Sequence, residues 1–163
     1  LKFVAENSEL VSLLAKGDAE VALVPEPFLT TACAKVEGLR AALSIGDIWK
    51  DLGKEGNVYM GCVIVKADYV EKNKAAVDKF LEEYKESVER ANSDVSGVAA
   101  LCETYKIVGS AAVAEKAIPK CAITFIPGSE CEKAITDYFK ALFELDPTSI
   151  GGAMPESGFW YVG

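Results

Sequence analysis

The sequence predicts an α/β chain in which a parallel or mixed sheet is flanked by helices. Three observations lead there. The opening alternates strand, helix, strand and helix, the order that crossover connections produce. Val21-Ala22-Leu23-Val24 is a near-continuous apolar run stopped by Pro25-Glu26-Pro27, as in a strand covered on both faces. A long amphipathic stretch over 69–92 gives the strongest helical pattern in the chain.

Taken in order, Leu1–Ala5 is short, apolar and β-prone. Ser8 is placed to cap a helix over 9–15 that turns Leu10, Leu13 and Leu14 inward, and Gly17 ends it. The strand at Glu20–Val24 follows. Pro27 is tolerated in the first turn of a helix reaching about Val36, because its missing N–H has no intrahelical partner there. Glycines at 38, 46, 53 and 56 punctuate the next stretch, with a helical turn or two over 47–52. Asn57–Lys66 reads as another strand.

Asp68 stands as an N-cap ahead of the long helix. Within it Val70, Val77, Phe80, Leu81, Tyr84, Val88 and Ala91 recur every three or four residues. Glu71, Lys72, Lys74, Glu82, Glu83 and Lys85 make its solvated face. Shorter helices over 95–105 and 110–117 follow, and Pro119 breaks the second. Ala122–Ile126 is extended, and Ser129 caps a helix to about Leu145. The tail from Gly151 is rich in glycine and aromatic residues.

Composition excludes several classes of chemistry. The chain has 163 residues and no histidine. Ser–His and Cys–His nucleophiles, HExxH zinc sites and two-His iron sites are therefore absent from it. Seventeen Lys+Arg against 25 Asp+Glu give a net charge of −8, which argues against nucleic acid as a partner. No GxGxxG, P-loop, GxSxG or EF-hand loop occurs, and no metal or cofactor is expected. The five cysteines form no CxxC. Cys121 and Cys131 are the only two close in sequence, which leaves a disulfide open there, but packing as small apolar side chains is the preferred reading.

Two loops stand out as ligand-binding candidates. Glu6, Asn7 and Ser8 lie between the first strand and its helix, where ligands of open α/β sheets bind and where helix N–H groups face anions. Plain helix capping by Ser8 competes with that role. Pro25, Glu26, Pro27 and Phe28 form a stiff loop at the end of the second strand. There Glu26 is suited to receive an amine or hydroxyl and Phe28 to wall a pocket; a rigid turn with a solvated Glu26 is the competing reading. Gly151-Gly152 is a third candidate, weaker than the packing of Phe159, Trp160 and Tyr161.

The run from Gly17 to Phe28, Gly-Asp-Ala-Glu-Val-Ala-Leu-Val-Pro-Glu-Pro-Phe, resembles a segment of type II periplasmic binding proteins. Within that family it is similar to the alkanesulfonate, taurine, nitrate and thiamine-precursor group of solute-binding components of ATP-binding-cassette importers. The strand at Tyr59–Lys66 with Ala67-Asp68-Tyr69-Val70-Glu71-Lys72-Asn73, and the tail with Ile150-Gly151-Gly152, Pro155 and Gly158-Phe159, extend the resemblance over the whole chain.

The resemblance implies part of a two-lobed α/β fold. Residues 1–56 would belong to the second lobe, and residues 57–163 would supply a hinge strand and the end of the first lobe with bracing helices. It implies the C-terminal half of a longer protein, whose signal peptide or lipid-anchored cysteine lies upstream. Its function would be extracytoplasmic: capture of a small solute between lobes and delivery to a membrane permease, without catalysis. Glu6, Asn7, Ser8, Pro25, Glu26, Pro27 and Phe28 match the family's binding loops, and the acidic-Pro pair points to a solute with a donor or cationic group. An enzyme of thiamine-pyrimidine synthesis on the same scaffold, or a sensor domain that transports nothing, are the alternative readings.

Overall fold

The computed structural model describes residues 1–54 and 56–163. Its elements are α1 (Asn7–Lys16), α2 (Phe28–Lys35), α3 (Ile45–Asp51), α4 (Ala67–Ser93), α5 (Val95–Thr104), α6 (Ala111–Ala117) and α7 (Gly128–Leu145). Short 3-10 turns occupy Ile118–Lys120, Pro147–Ile150 and Ser157–Phe159.

Among the described residues there is no strand, which overturns the α/β expectation and the sheet it required. The physical reason is pairing. Apolar content and alternation describe the shape of a segment, whereas a sheet exists only where a second segment accepts its N–H groups. The run at 20–24 shows the difference. Ala22 and Val24 pack against helices, while Val21 and Leu23 are 91% and 75% exposed. The segment is extended and two-faced as a strand would be, but it is covered on one face by helices and not flanked by another strand. The run at 57–66 is likewise open, with Met60 at 80% and Ile64 at 82% exposure.

The chain divides into two compact units. One is Leu1–Ala41 with Glu83–Thr124; the other is Ala42–Glu82 with Phe125–Gly163. In the first unit, α1 packs on α2 around Val11, Leu14 and Ala32, with Ala19, Ala22, Val24, Phe28 and Leu39 at the edges. A second cluster joins α5, α6 and the turn after it through Ala99, Ala114 and Ile118. Ala32 is fully buried, and Ala99 and Ala114 are each 1% exposed. The close contacts are thus alanine-sized, so nothing larger than a methyl fits there. The Asn92 side chain donates to Ile123 O at 3.0 Å, tying the segment after α6 to α4.

Helix starts follow side-chain chemistry where an acceptor is present. Ser44 Oγ accepts from Asp47 N–H, Asp94 Oδ1 from Gly97 N–H and Ser110 Oγ from Val113 N–H. Ser8 does not act this way. α1 begins at Asn7 with Glu6 as an N-cap that makes no side-chain bond, so Ser8 lies inside the helix. Likewise α7 begins at Gly128 after Pro127, ahead of Ser129.

The second unit is organised by aromatic rings. Trp49 and Tyr59 each meet Tyr138 edge-on, at 5.6 and 6.2 Å between centroids, and Phe139 stacks with Trp160 at 6.4 Å. Phe159 is 60% exposed, so the tail packs through Trp160 and Tyr161. Gly128 permits this, since a Cβ there would overlap the Tyr161 carbonyl. α4 departs from helical geometry at Asn73 (φ −136°, ψ 33°), whose side chain donates to Tyr69 O at 3.0 Å. One turn further on, Tyr161 OH donates to Asp78 Oδ1, and Lys74 Nζ meets Asp78 Oδ2 at 3.1 Å. Tyr161 first, and Lys74 second, hold the Asp78 carboxyl below its usual range, while the bond to Asp78 holds Lys74 above its own.

Two outcomes follow from this packing. Ala114→Leu should destabilise the protein by about 1–3 kcal/mol in urea unfolding, as overpacking of a tight contact does. Asp78, with its folded pKa depressed, contributes stability above its unfolded value near about 4 and loses it as pH falls through the folded value. Lys74, raised, loses its contribution as pH rises through its folded value. Tyr161→Phe should therefore move the Asp78 titration, followed by carboxyl NMR, upward; an unmoved titration would show that the tail does not hold Asp78.

Candidate functional site

The loop Pro25–Phe28 leads directly into α2. The Glu26–Pro27 peptide is cis. Pro27 is the N-cap residue and has no side-chain acceptor to offer the first turn. Glu26 supplies one from a residue upstream: its Oε2 accepts Thr30 N–H at 3.0 Å. Pro25 O accepts Leu29 N–H, and Pro27 O accepts both Thr31 N–H and the Thr31 hydroxyl, each at 3.0 Å. The negative carboxylate also lies at the positive end of the helix, which favours it.

The capping bond leaves the other half of the carboxylate pointing elsewhere. Glu26 Oε1 is buried and has no hydrogen-bond partner among the described residues, and the same holds for Thr30 Oγ1. Thr30 is 6% exposed, so its hydroxyl is out of reach of bulk water. Leaving a buried polar atom unpaired costs about 1–3 kcal/mol, more for a charged one. An ionised carboxylate only accepts, through about four lone-pair sites, whereas a hydroxyl both donates and accepts. Together they suit a ligand carrying N–H or O–H donors.

Cys121, at the end of the turn after α6, lies within the field of this carboxylate. Burial pushes its thiol up, and the charge of Glu26 and then Cys102 push it further. All five cysteines are free thiols, and Cys121 and Cys131 fall in different units. Cys131 donates instead to Ile126 O at 3.3 Å.

The other residues read from the sequence fall as follows. Pro25 and Pro27 frame Glu26, and Phe28 packs against the α1–α2 cluster. Glu6, Asn7 and Ser8 form the start of α1, with Glu6 and Ser8 exposed and Asn7 half-buried. Among the described residues, no hydrogen bond or ion pair joins them to the Glu26 loop. Sequence reasoning missed Thr30. Its signal was its place four residues after Glu26, in the third position of the helix that Pro27 opens. It also missed Cys121, for which sequence spacing carries no signal. Among the described residues, no group of three or more Cys, Asp or Glu side chains is placed to hold a metal ion, and no helix is long and apolar enough to cross a membrane.

Glu26→Gln should speed alkylation of Cys121 by iodoacetamide, because a charge that disfavours the thiolate is removed. Peptide mapping by mass spectrometry reads this, with exposed Cys62 in the other unit as internal standard. An unchanged Cys121 rate would place the carboxylate too far away to act on it. No protein-family model, curated protein or solved structure matches this chain.

Proposed function

We propose that the chain is a solute-binding piece of an ATP-binding-cassette importer, acting outside the cytoplasm and handing its solute to a membrane permease. The observation that carries the binding step is the half-used Glu26 carboxylate beside the buried Thr30 hydroxyl. The importer assignment comes from the resemblance of Gly17–Phe28, in which Glu26 is the acidic residue of the acidic-Pro-Phe element. The reading rests on that loop and not on a sheet.

The solute is a small molecule with an amine, amidine or hydroxyl donor. Its donor would complete Glu26 Oε1, and Thr30 Oγ1 would donate to or accept from a second polar atom. A charge-assisted bond of this kind, in a site shielded from water, is roughly twice as strong as a neutral one. Binding of this sort forms no covalent bond and needs no proton shuttle.

Thermal denaturation against a panel of small amines, amidines, amino-pyrimidines, polyols and sulfonates tests the reading. A solute with a Kd near about 1 μM, present at about 1 mM, stabilises the folded chain by about 4 kcal/mol. Stabilisation by donor-bearing solutes, weakened about tenfold or more by Glu26→Gln, is the expected result. Stabilisation by none of the classes, or an affinity indifferent to Glu26→Gln, overturns it.

A further inference from the structure

A cleft of about 280 Å³ opens in the second unit, between the end of α3 and the last turns of α7. Trp49, Gly53 and Lys54 line one side; Asp137, Lys140, Ala141 and Glu144 line the other. The α7 residues are spaced at i, i+3, i+4 and i+7, so they form one stripe of that helix. Trp49 is fixed by its edge-on contact with Tyr138, and Gly53 turns the chain out of α3 with φ +67°. Gly53 N–H bonds to Lys50 O at 2.8 Å, and Lys54 N–H to Trp49 O at 3.3 Å. The cleft wall is therefore anchored on both sides by backbone.

Its charges are balanced but not all paired. Lys140 meets Asp137 at 3.1 Å, and these two cancel. That leaves Lys54 on one side and Glu144 on the other, neither with an ion-pair partner among the described residues. Glu144 also stands in the last turn of α7, which holds no basic residue. A carboxylate there adds to the negative end of the helix, and a cation close by relieves both. A cation and an anion that are unpaired among the described residues, beside an indole ring, match a ligand with a carboxylate, an ammonium and a small apolar body.

We propose that this cleft binds an α-amino acid as its zwitterion, Lys54 taking the carboxylate, Glu144 the ammonium and the Trp49 ring the side chain. The volume admits a side chain of leucine size. Because both charged residues are exposed, the affinity is in the millimolar range, about 1–10 mM. The site is independent of the Glu26 loop, which belongs to the other unit.

The test uses Trp49 as reporter. The chain has two tryptophans, and Trp160→Phe keeps a ring against Phe139 while leaving Trp49 as the sole indole. L-leucine is titrated against this protein beside two half-ligands, isoamylamine, which lacks the carboxylate, and 4-methylpentanoate, which lacks the ammonium. A saturable change in Trp49 emission with leucine, with both half-ligands weaker by about fivefold or more, is expected. Lys54→Glu and Glu144→Lys should each weaken leucine about as much, and the double exchange should regain it with the ligand reversed. No saturable response to leucine at about 50 mM, half-ligands as effective as leucine, or a double exchange that stays as weak as the singles each overturns the proposal. The half-ligand comparison needs no charge-altering variant, so a misfolded single exchange does not rescue it.

Discussion

The bond from Thr30 N–H to the Glu26 carboxylate sets up much of the first unit. α2 is only eight residues long and opens after a proline that offers no side-chain acceptor. Helices this short hold little stability of their own, so their ends and their packing decide whether they form. With its start fixed by Glu26, α2 presents Ala32 to α1 and lies against α6. The same bond uses one oxygen of the carboxylate and leaves the other inside the protein. Fold and candidate site thus share one side chain, so changing Glu26 perturbs both and Thr30 gives the cleaner separation of the two roles.

The two units reach order by different means. The first relies on small residues, since Ala32, Ala99, Ala114 and Ala117 are nearly or fully buried and let helices approach closely. The second has few buried side chains and instead links Trp49, Tyr59, Tyr138, Phe139 and Trp160 through ring contacts. Rings that stay half-exposed leave room beside them, as at the cleft next to Trp49.

Helices were legible in the sequence because their signals are local. Each of the seven among the described residues falls close to a stretch read as helical from periodicity or from a breaker such as Gly17. Ser8 misled because a serine near a helix start also fits inside the first turn, and Glu6 already occupies the boundary. The strands misled for a deeper reason. Val21 and Leu23 have the composition of a buried strand, but burial depends on what arrives from elsewhere in the chain, and here only helices arrive, on one side. At the site, Glu26 was legible as a carboxylate held between two prolines. The buried Thr30 hydroxyl and nearby Cys121 were not, since burial and approach across α2 and α6 are tertiary facts.

The open run at 57–66 has a colloidal consequence. Met60, Val63, Ile64 and Val65 present apolar surface with no charge among them until Lys66. Two copies that meet there attract at short range as water leaves apolar surface. A net charge of −8 holds copies apart at longer range. The repulsion reaches about 30 Å at 0.01 M salt and only about 8 Å at 0.15 M, while the apolar attraction is hardly screened. Ionic strength therefore sets how strongly charge repulsion opposes contact between copies at this run. Between about pH 6 and 7.5 pH has little leverage over it, because without histidine no side-chain type has its ordinary pKa there.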